Sequence, residues 1–176
     1  MRRRRFPIAP AAAAMAIAVC SCGSSVVSGA TATPTAVALD ACLVGTWKSV
    51  SISGSITVAG SRVTLSGGAG ELLTITAGGS IRTDDRTTAP LAGTASDGSA
   101  YTLAQSGTAT GTISATGGRI TVKLDQPTPL TITLSKNGTV LQSQHPGSAT
   151  DSYTCAVGTS LVITGAGGTV STYGPG

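Results

Sequence analysis

Apolar and polar residues alternate with a period of two along most of the chain after residue 48. In residues 119–125, Ile120, Val122 and Leu124 share one face and the charged side chains share the other. Residues 130–134 repeat this pattern, as do residues 50–58, whose apolar face carries Val50, Ile52, Ile56 and Val58. One buried face and one solvated face are typical of an antiparallel sheet, and no stretch has the 3.6-residue period of an amphipathic helix.

Glycine-rich turns separate these segments at short intervals, with Gly67-Gly68, Asp97-Gly98, Gly117-Gly118 and Asn137-Gly138 as the clearest examples. Glycine and Asn-Gly supply the positive φ that tight hairpins require. We therefore predict an all-β fold of about eight to ten strands, some of the candidate segments merging. The candidates are residues 48–58, 61–66, 71–77, 80–84, 100–106, 109–115, 119–125, 130–135, 139–143, 152–156, 160–164 and 169–173.

Composition and charge exclude several classes of partner. The chain has 11 Lys and Arg, but four of them are residues 2–5, which leaves seven basic residues against seven Asp and Glu. The part after the leader is therefore nearly neutral, and we expect no binding to nucleic acid. The only Phe of the chain lies in the leader, so small and aliphatic side chains must form the core of the part that follows.

The first 21 residues are typical of a bacterial lipoprotein signal peptide. Four arginines precede an apolar, alanine-rich run at residues 6–19, which is too short for a transmembrane anchor. The run ends in Val19-Cys20-Ser21-Cys22, which resembles the lipoprotein box in which a cysteine receives a diacylglycerol group. The resemblance implies an extracytoplasmic protein attached to the cell membrane through lipidated Cys22.

Alternatives to this anchor remain open at the level of sequence. Cys20 could serve as acceptor, but Cys22 is favoured because its use discards Cys20 and leaves Cys42 and Cys155 as an even pair. An ordinary secreted protein is the other alternative. The export route, general secretory or twin-arginine, stays undecided because Pro7 interrupts the twin-arginine pattern.

We divide the chain into a signal peptide at residues 1–21, a lipidated cysteine with a flexible linker at 22–41, and a β-domain at 42–176. The linker is rich in Ser, Ala, Thr and Val and has no aromatic residue before the domain. Cys42 lies just before the first strand and Cys155 lies in one of the last. A disulfide between them would join the beginning of the sheet to its end, which favours a closed up-and-down barrel over a sandwich.

The two ends of the β-domain resemble the lipocalin-like lipoproteins of actinobacteria. The resemblance rests on Cys42-Leu43-Val44-Gly45-Thr46-Trp47, on Leu73-Thr74-Ile75 before Gly78-Gly79, and on Ser152-Tyr153-Thr154-Cys155 before Leu161-Val162-Ile163. It implies a calycin-type barrel in which Trp47 packs at one end and the interior holds a small apolar ligand. The family's final arginine is replaced here by Thr172-Tyr173-Gly174. Trp47 is also out of phase with Ile52, so either a bulge separates them or Trp47 faces outward.

Catalytic and metal-binding patterns are scarce in this sequence. His145 is the only histidine, and its turn-like context predicts a solvated side chain. The acidic pair Asp84-Asp85 falls short of a calcium loop. We therefore expect no enzyme activity, no metal and no cofactor.

Two functions are compatible with these features. The first is a monomeric, membrane-anchored barrel that binds or carries a small apolar ligand in the cell envelope, suggested by the small inward residues Ala109, Gly111, Ile113 and Ala115. The second is a structural or protein-interaction module with a solid core. A β-helical stack is less favoured because no repeat has a fixed period.

Overall fold

The computed structural model describes residues 39–165 and 167–176. The predicted signal peptide and most of the predicted linker lie outside these residues. The described part consists of β-strands joined by turns and loops, and it contains no helix long and apolar enough to cross a membrane.

Thirteen strands follow one another in the chain: β1 (Gly45–Val58), β2 (Ser61–Gly67), β3 (Leu72–Ile75), β4 (Ser80–Asp84), β5 (Leu91–Thr94), β6 (Ala100–Ser106), β7 (Thr108–Thr116), β8 (Arg119–Leu124), β9 (Thr131–Lys136), β10 (Thr139–Gln144), β11 (Ala149–Ala156), β12 (Ser160–Thr164) and β13 (Val170–Pro175).

Eight of these strands close into an antiparallel barrel, as the sequence predicted. Around the barrel the order is β1, β3, β4, β7, β8, β11, β12, β13 and back to β1. Each barrel strand therefore lies beside the previous and the next barrel strand in sequence, which is an up-and-down arrangement. The pairing of β1 with both β3 and β13 closes the ring and leaves the barrel without a free edge.

Three long hairpins extend past one end of this barrel, and their six strands continue the same sheet; we call this six-stranded extension the second sheet. The second half of β1 pairs with β2 and forms the tip of the first hairpin. The tips of the other two hairpins are formed by the pair β5 and β6 and by the pair β9 and β10. Contacts of β2 with β5 and of β6 with β9 join the three tips into one sheet in the order β1, β2, β5, β6, β9, β10. This extension was not anticipated from the sequence.

Each hairpin bends where it passes from the barrel to the second sheet. In β1 the bend is a bulge between Ser49 and Ser51 in the pairing with β13. In the second hairpin, Gly107 joins β6 to β7 with a φ of +106°, and a Cβ at this position would lie 2.5 Å from the carbonyl oxygen of Pro129. Glycine is thus required there for both its backbone conformation and its small size.

The two parts of the fold have separate hydrophobic cores. The barrel core contains Leu43, Trp47, Leu73, Ile75, Ile81, Ile113, Ala115, Ile120, Tyr153, Leu161 and Tyr173. The core of the second sheet contains Ile52, Val63, Leu65, Leu91, Ala95 and Tyr101. Alternate residues of strands such as β2 and β7 supply these cores, as the period-two pattern predicted, whereas β10 is exposed throughout.

The bulge in β1 decides between the two alternatives for Trp47. Trp47 and Ser49 point inward before the bulge, and Ile52 points inward after it. Trp47 is therefore buried although it is out of phase with Ile52. Val50, which was predicted to share the apolar face, is 63% exposed, so that assignment was wrong. A bulge adds one residue and reverses the alternation, and no local pattern marked its position.

Strand β5 has no counterpart among the predicted strands. Its sequence Leu91-Ala92-Gly93-Thr94 is short, has one large apolar side chain and follows a proline. Its pairing with β6 through Leu91 and Leu103 gives it strand geometry. Tertiary pairing rather than intrinsic propensity forms this strand.

The segment before β1 packs over the other end of the barrel. Leu43 is completely buried in the barrel core, and Trp47 Nε1 donates a hydrogen bond to its carbonyl oxygen at 3.0 Å. The Tyr153 hydroxyl donates a hydrogen bond to Asp40 Oδ2. This contact raises the pKa of Tyr153 to about 12, because the neighbouring carboxylate opposes deprotonation. Residues 40–43 are thus fixed to the barrel from two sides.

Candidate functional site

Of the predicted site residues, the structure describes Cys42, Trp47 and Cys155, whereas Cys22 and the competing Cys20 lie outside the described residues. Cys42 and Cys155 form the predicted disulfide, with their Cα atoms 5.7 Å apart. The expectation that this bond ties the first strand to its neighbour, the last strand, was wrong. Cys155 lies on β11, and β12 and β13 separate β11 from β1, so the bond runs across the end of the barrel.

Trp47 packs in the barrel core next to this disulfide-linked segment. It is 2% exposed and is joined to Leu43 by the indole hydrogen bond. It does not line the cavity inside the barrel. Its position is that of a packing residue for the closed end, in agreement with the prediction.

A cavity of about 260 Å³ lies inside the barrel. All eight barrel strands contribute to its wall, and most of the lining side chains are aliphatic, including Leu73, Ile113 and Val122. Seven polar side chains also reach it: Glu71, Thr83, Gln105, Asp151, Thr169, Ser171 and Tyr173. The combination of an apolar wall and a few convergent polar groups is typical of a small-molecule site.

Glu71 is the buried carboxyl group of this cavity. Its residue is 8% exposed, and the Tyr173 hydroxyl donates a hydrogen bond to its Oε2 at 3.2 Å. Burial, with a smaller contribution from the negative charge of Asp85, raises the pKa of Glu71 from 4.5 to about 7. The hydrogen bond from Tyr173 opposes this shift. Glu71 can therefore change its charge near neutral pH.

Ser49, at the bulge of β1, fixes the backbone on which Glu71 stands. The Glu71 N–H donates to Ser49 Oγ at 2.8 Å, and the Ser49 N–H donates to the Glu71 carbonyl oxygen at 2.9 Å. Ser49 Oγ in turn donates to the Gly68 carbonyl oxygen at 2.6 Å. Since Ser49 is only 3% exposed, these bonds are shielded from water and hold Glu71 in place.

Asp85, the second buried carboxyl group, lies just after β4. It is 2% exposed, and the Thr88 hydroxyl donates a hydrogen bond to its Oδ1 at 3.1 Å. Burial raises the pKa of Asp85, and the hydrogen bond from Thr88 opposes the shift. The carboxyl groups of Glu71 and Asp85 are close enough to interact electrostatically, and the burial of each disfavours its charged form.

One further polar atom at the cavity wall lacks a partner. Gln105 Oε1 is buried and has no hydrogen-bond partner among the described residues. A buried acceptor without a partner loses its hydration without compensation, so such an atom in a stable fold calls for an explanation. Gln105 lines the cavity that also contains Glu71.

A second cavity of about 230 Å³ adjoins the first at the bend between the barrel and the second sheet. Ile52, Gln105 and Thr169 line both cavities. The second cavity is otherwise mainly aliphatic, with Ile56, Leu91 and Leu103 in its wall. A ligand longer than the barrel cavity could therefore extend past Gln105 into this space.

Sequence reasoning did not select Glu71, although a signal was present. Glu71 is the only glutamate of the chain, and it stands two and four residues before Leu73 and Ile75, which face inward. The period of two therefore placed a carboxyl group on an apolar face. No comparable pattern in the sequence marked Gln105, because its burial depends on the junction between the barrel and the second sheet.

The polar residues that the sequence did single out are His145 and the pair Asp84-Asp85, and of these only Asp85 lies near Glu71. His145 is exposed in the loop after β10, and its Nδ1–H donates to the Leu130 carbonyl oxygen at 2.8 Å. Asp84 forms a surface ion pair with Arg86, with Nη2 and Oδ2 2.5 Å apart. The described residues contain no group of three or more His, Cys, Asp or Glu side chains placed to hold a metal ion.

Comparisons with protein-family models, with curated proteins and with solved structures find no match to this chain.

Proposed function

We propose that this protein is an extracytoplasmic lipoprotein, anchored to the cell membrane through lipidated Cys22, whose barrel binds a small and mainly apolar ligand. The barrel acts as a binding module without catalytic activity and works as a monomer. The observation that carries the proposal is the cavity of about 260 Å³ inside the barrel, with its aliphatic wall and its few polar groups. Its volume is close to the lower end, about 300 Å³, of known ligand sites, and the adjoining cavity adds further space.

Kinship with the lipocalin-like lipoproteins is part of this proposal. It is supported by the closed up-and-down barrel, by the buried Trp47 at its start and by the disulfide from Cys42 to Cys155. Tyr173, near the chain end where the family has its arginine, instead supplies a hydrogen bond to a carboxyl group in the cavity.

Ligand binding is tested by native mass spectrometry of the full chain extracted from its own membrane. We expect a co-purifying small molecule that is lost from Val122→Phe, because Val122 lines the cavity and the larger ring would fill it. Val157→Phe is the matched control, since Val157 is 73% exposed in a turn. An empty wild-type protein, or equal loading of both variants, would contradict the proposal.

The anchor is tested separately by fractionating cells that express Cys22→Ala. We expect release of this variant from the membrane, while Cys20→Ala stays attached. Membrane retention of Cys22→Ala would assign the lipid to another residue.

The alternative function, an interaction module of the cell envelope, is favoured by one feature of the second sheet. Strand β10 pairs with β9 alone, so its other edge is open, and Val140 and Leu141 on it are 59% and 48% exposed. An open edge with exposed aliphatic side chains can accept a strand from another protein. Site-specific crosslinks from β10 to one envelope protein, together with an empty barrel, would support this alternative.

A further inference from the structure

We infer that the barrel cavity selects amphiphiles with a positively charged amine headgroup, with the ammonium group at Glu71 and the apolar chain along the aliphatic wall. This inference rests on the proposed ligand-binding function and adds the chemical class of the ligand. It depends on the charges, the unpartnered acceptor and the shape of the cavity.

The ionisable side chains at the cavity wall favour a cation. The carboxyl groups of Glu71 and Asp151 reach the wall, and no lysine, arginine or histidine of residues 39–165 and 167–176 does. Asp85 adds further negative charge near Glu71. A carboxylate or phosphate headgroup would meet repulsion in this cavity and find no basic partner, whereas an ammonium group would compensate the buried negative charge.

The unpartnered acceptor at the wall points in the same direction. Gln105 Oε1 is buried there and accepts no hydrogen bond from the described residues. An ammonium group has three N–H donors and no acceptor. It can therefore bond the Glu71 carboxylate and still supply donors to neighbouring oxygen atoms, which a neutral apolar ligand cannot do.

The shape of the interior accommodates the rest of such a molecule. Glu71 lies directly before β3 and Gln105 near the end of β6, at the level where the hairpins leave the barrel. The aliphatic side chains of Leu73, Ile75 and Ile113 lie deeper in the barrel, and the second cavity begins on the other side of Gln105. An alkyl chain can thus extend from the headgroup into either apolar space.

Three probes of equal chain length test the inference: dodecylamine, dodecanol and dodecanoate, each below its micellar concentration. Calorimetric titration of the delipidated full-length protein at pH 8 should give an affinity for the amine at least about tenfold above that for the acid, since like charges repel in a buried site. Glu71→Gln should weaken amine binding by about tenfold and leave dodecanol binding within about twofold. Asp97→Asn is the control, because Asp97 lies in an exposed turn.

The pH dependence of the wild-type protein gives a test that needs no variant. Amine binding should weaken as the pH falls from 8 to 5.5, because Glu71, which titrates at about 7, becomes neutral while the amine stays charged. Dodecanol binding should not follow this curve.

The possible outcomes separate the inference from the function on which it rests. If none of the three probes binds, the proposed ligand-binding function fails. If dodecanol or dodecanoate binds as tightly as the amine, or if Glu71→Gln leaves amine binding unchanged, the function stands and the inference about the headgroup is overturned.

Discussion

The Tyr173 hydroxyl donates a hydrogen bond to Glu71 Oε2 at 3.2 Å inside the barrel, between residues 102 positions apart in the chain. Glu71 precedes β3 and Tyr173 lies on β13, and both strands pair with β1. The bond thus spans the seam at which the barrel closes. The carboxyl group of Glu71, whose pKa is about 7, therefore takes part in a contact that closes the barrel.

The stability of the protein should fall as the pH rises through 7. The pKa of Glu71 is raised from 4.5 to about 7 in the folded state, so the folded protein binds this proton more tightly than the unfolded chain. Below pH 4.5 the protonated Glu71 contributes up to about 3 kcal/mol to the free energy of unfolding. This contribution is lost as the pH rises through 7. Urea unfolding at pH 5 and pH 8 measures this loss. Glu71→Gln should flatten the dependence, and an unchanged slope in that variant would contradict the assignment.

Ser49→Ala should destabilise the fold by about 2 kcal/mol, because the Glu71 N–H and the Gly68 carbonyl oxygen would lose their buried partner. Ser55→Ala is the matched control on the same strand, where the hydroxyl is 3.4 Å from Thr64 Oγ1 in an exposed pair. We expect a change below about 0.5 kcal/mol for the control. Equal effects in chemical denaturation would show that Ser49 does not fix the Glu71 backbone.

Replacing both Cys42 and Cys155 by alanine should lower the free energy of unfolding by roughly 4–5 kcal/mol. The disulfide joins residues 113 positions apart and restricts a long loop of the unfolded chain. Reduction of the wild-type protein should reproduce the effect, and the reductant should not change the double variant. Two free thiols in the intact, non-reduced β-domain would contradict the bond.

Gly107→Ala should be far more damaging than Gly98→Ala. Both glycines have positive φ, +106° and +79°, so both variants carry a backbone cost of about 1 kcal/mol or more. At Gly98 no atom lies within 4 Å of the added Cβ, whereas at Gly107 the Cβ would lie 2.5 Å from the Pro129 carbonyl oxygen. Thermal unfolding of the two variants measures the additional steric cost. Similar melting temperatures would mean that the bend at Gly107 is not tightly packed.

The sequence by itself determined the class of the fold and indicated every strand except β5. The alternation at Ile120, Val122 and Leu124, and at Ala109, Ile113 and Ala115, specifies which side of each strand is buried, because successive side chains of a strand point to opposite faces. The turn glycines specify where the hairpins reverse. The pair Cys42 and Cys155 was also predictable, because the other two cysteines, Cys20 and Cys22, belong to the predicted lipoprotein box.

Only the tertiary structure decided how the strands are divided between the barrel and the second sheet. That division depends on the bulge after Ser49 and on the bend at Gly107. The phase difference between Trp47 and Ile52 allowed a bulge, but it did not reveal which strands pair beyond it. The cavity was likewise beyond the sequence. Glu71, Gln105 and Tyr173 come from distant segments, and their burial, hydrogen bonding and charge depend on long-range strand pairing rather than on their neighbours in the chain.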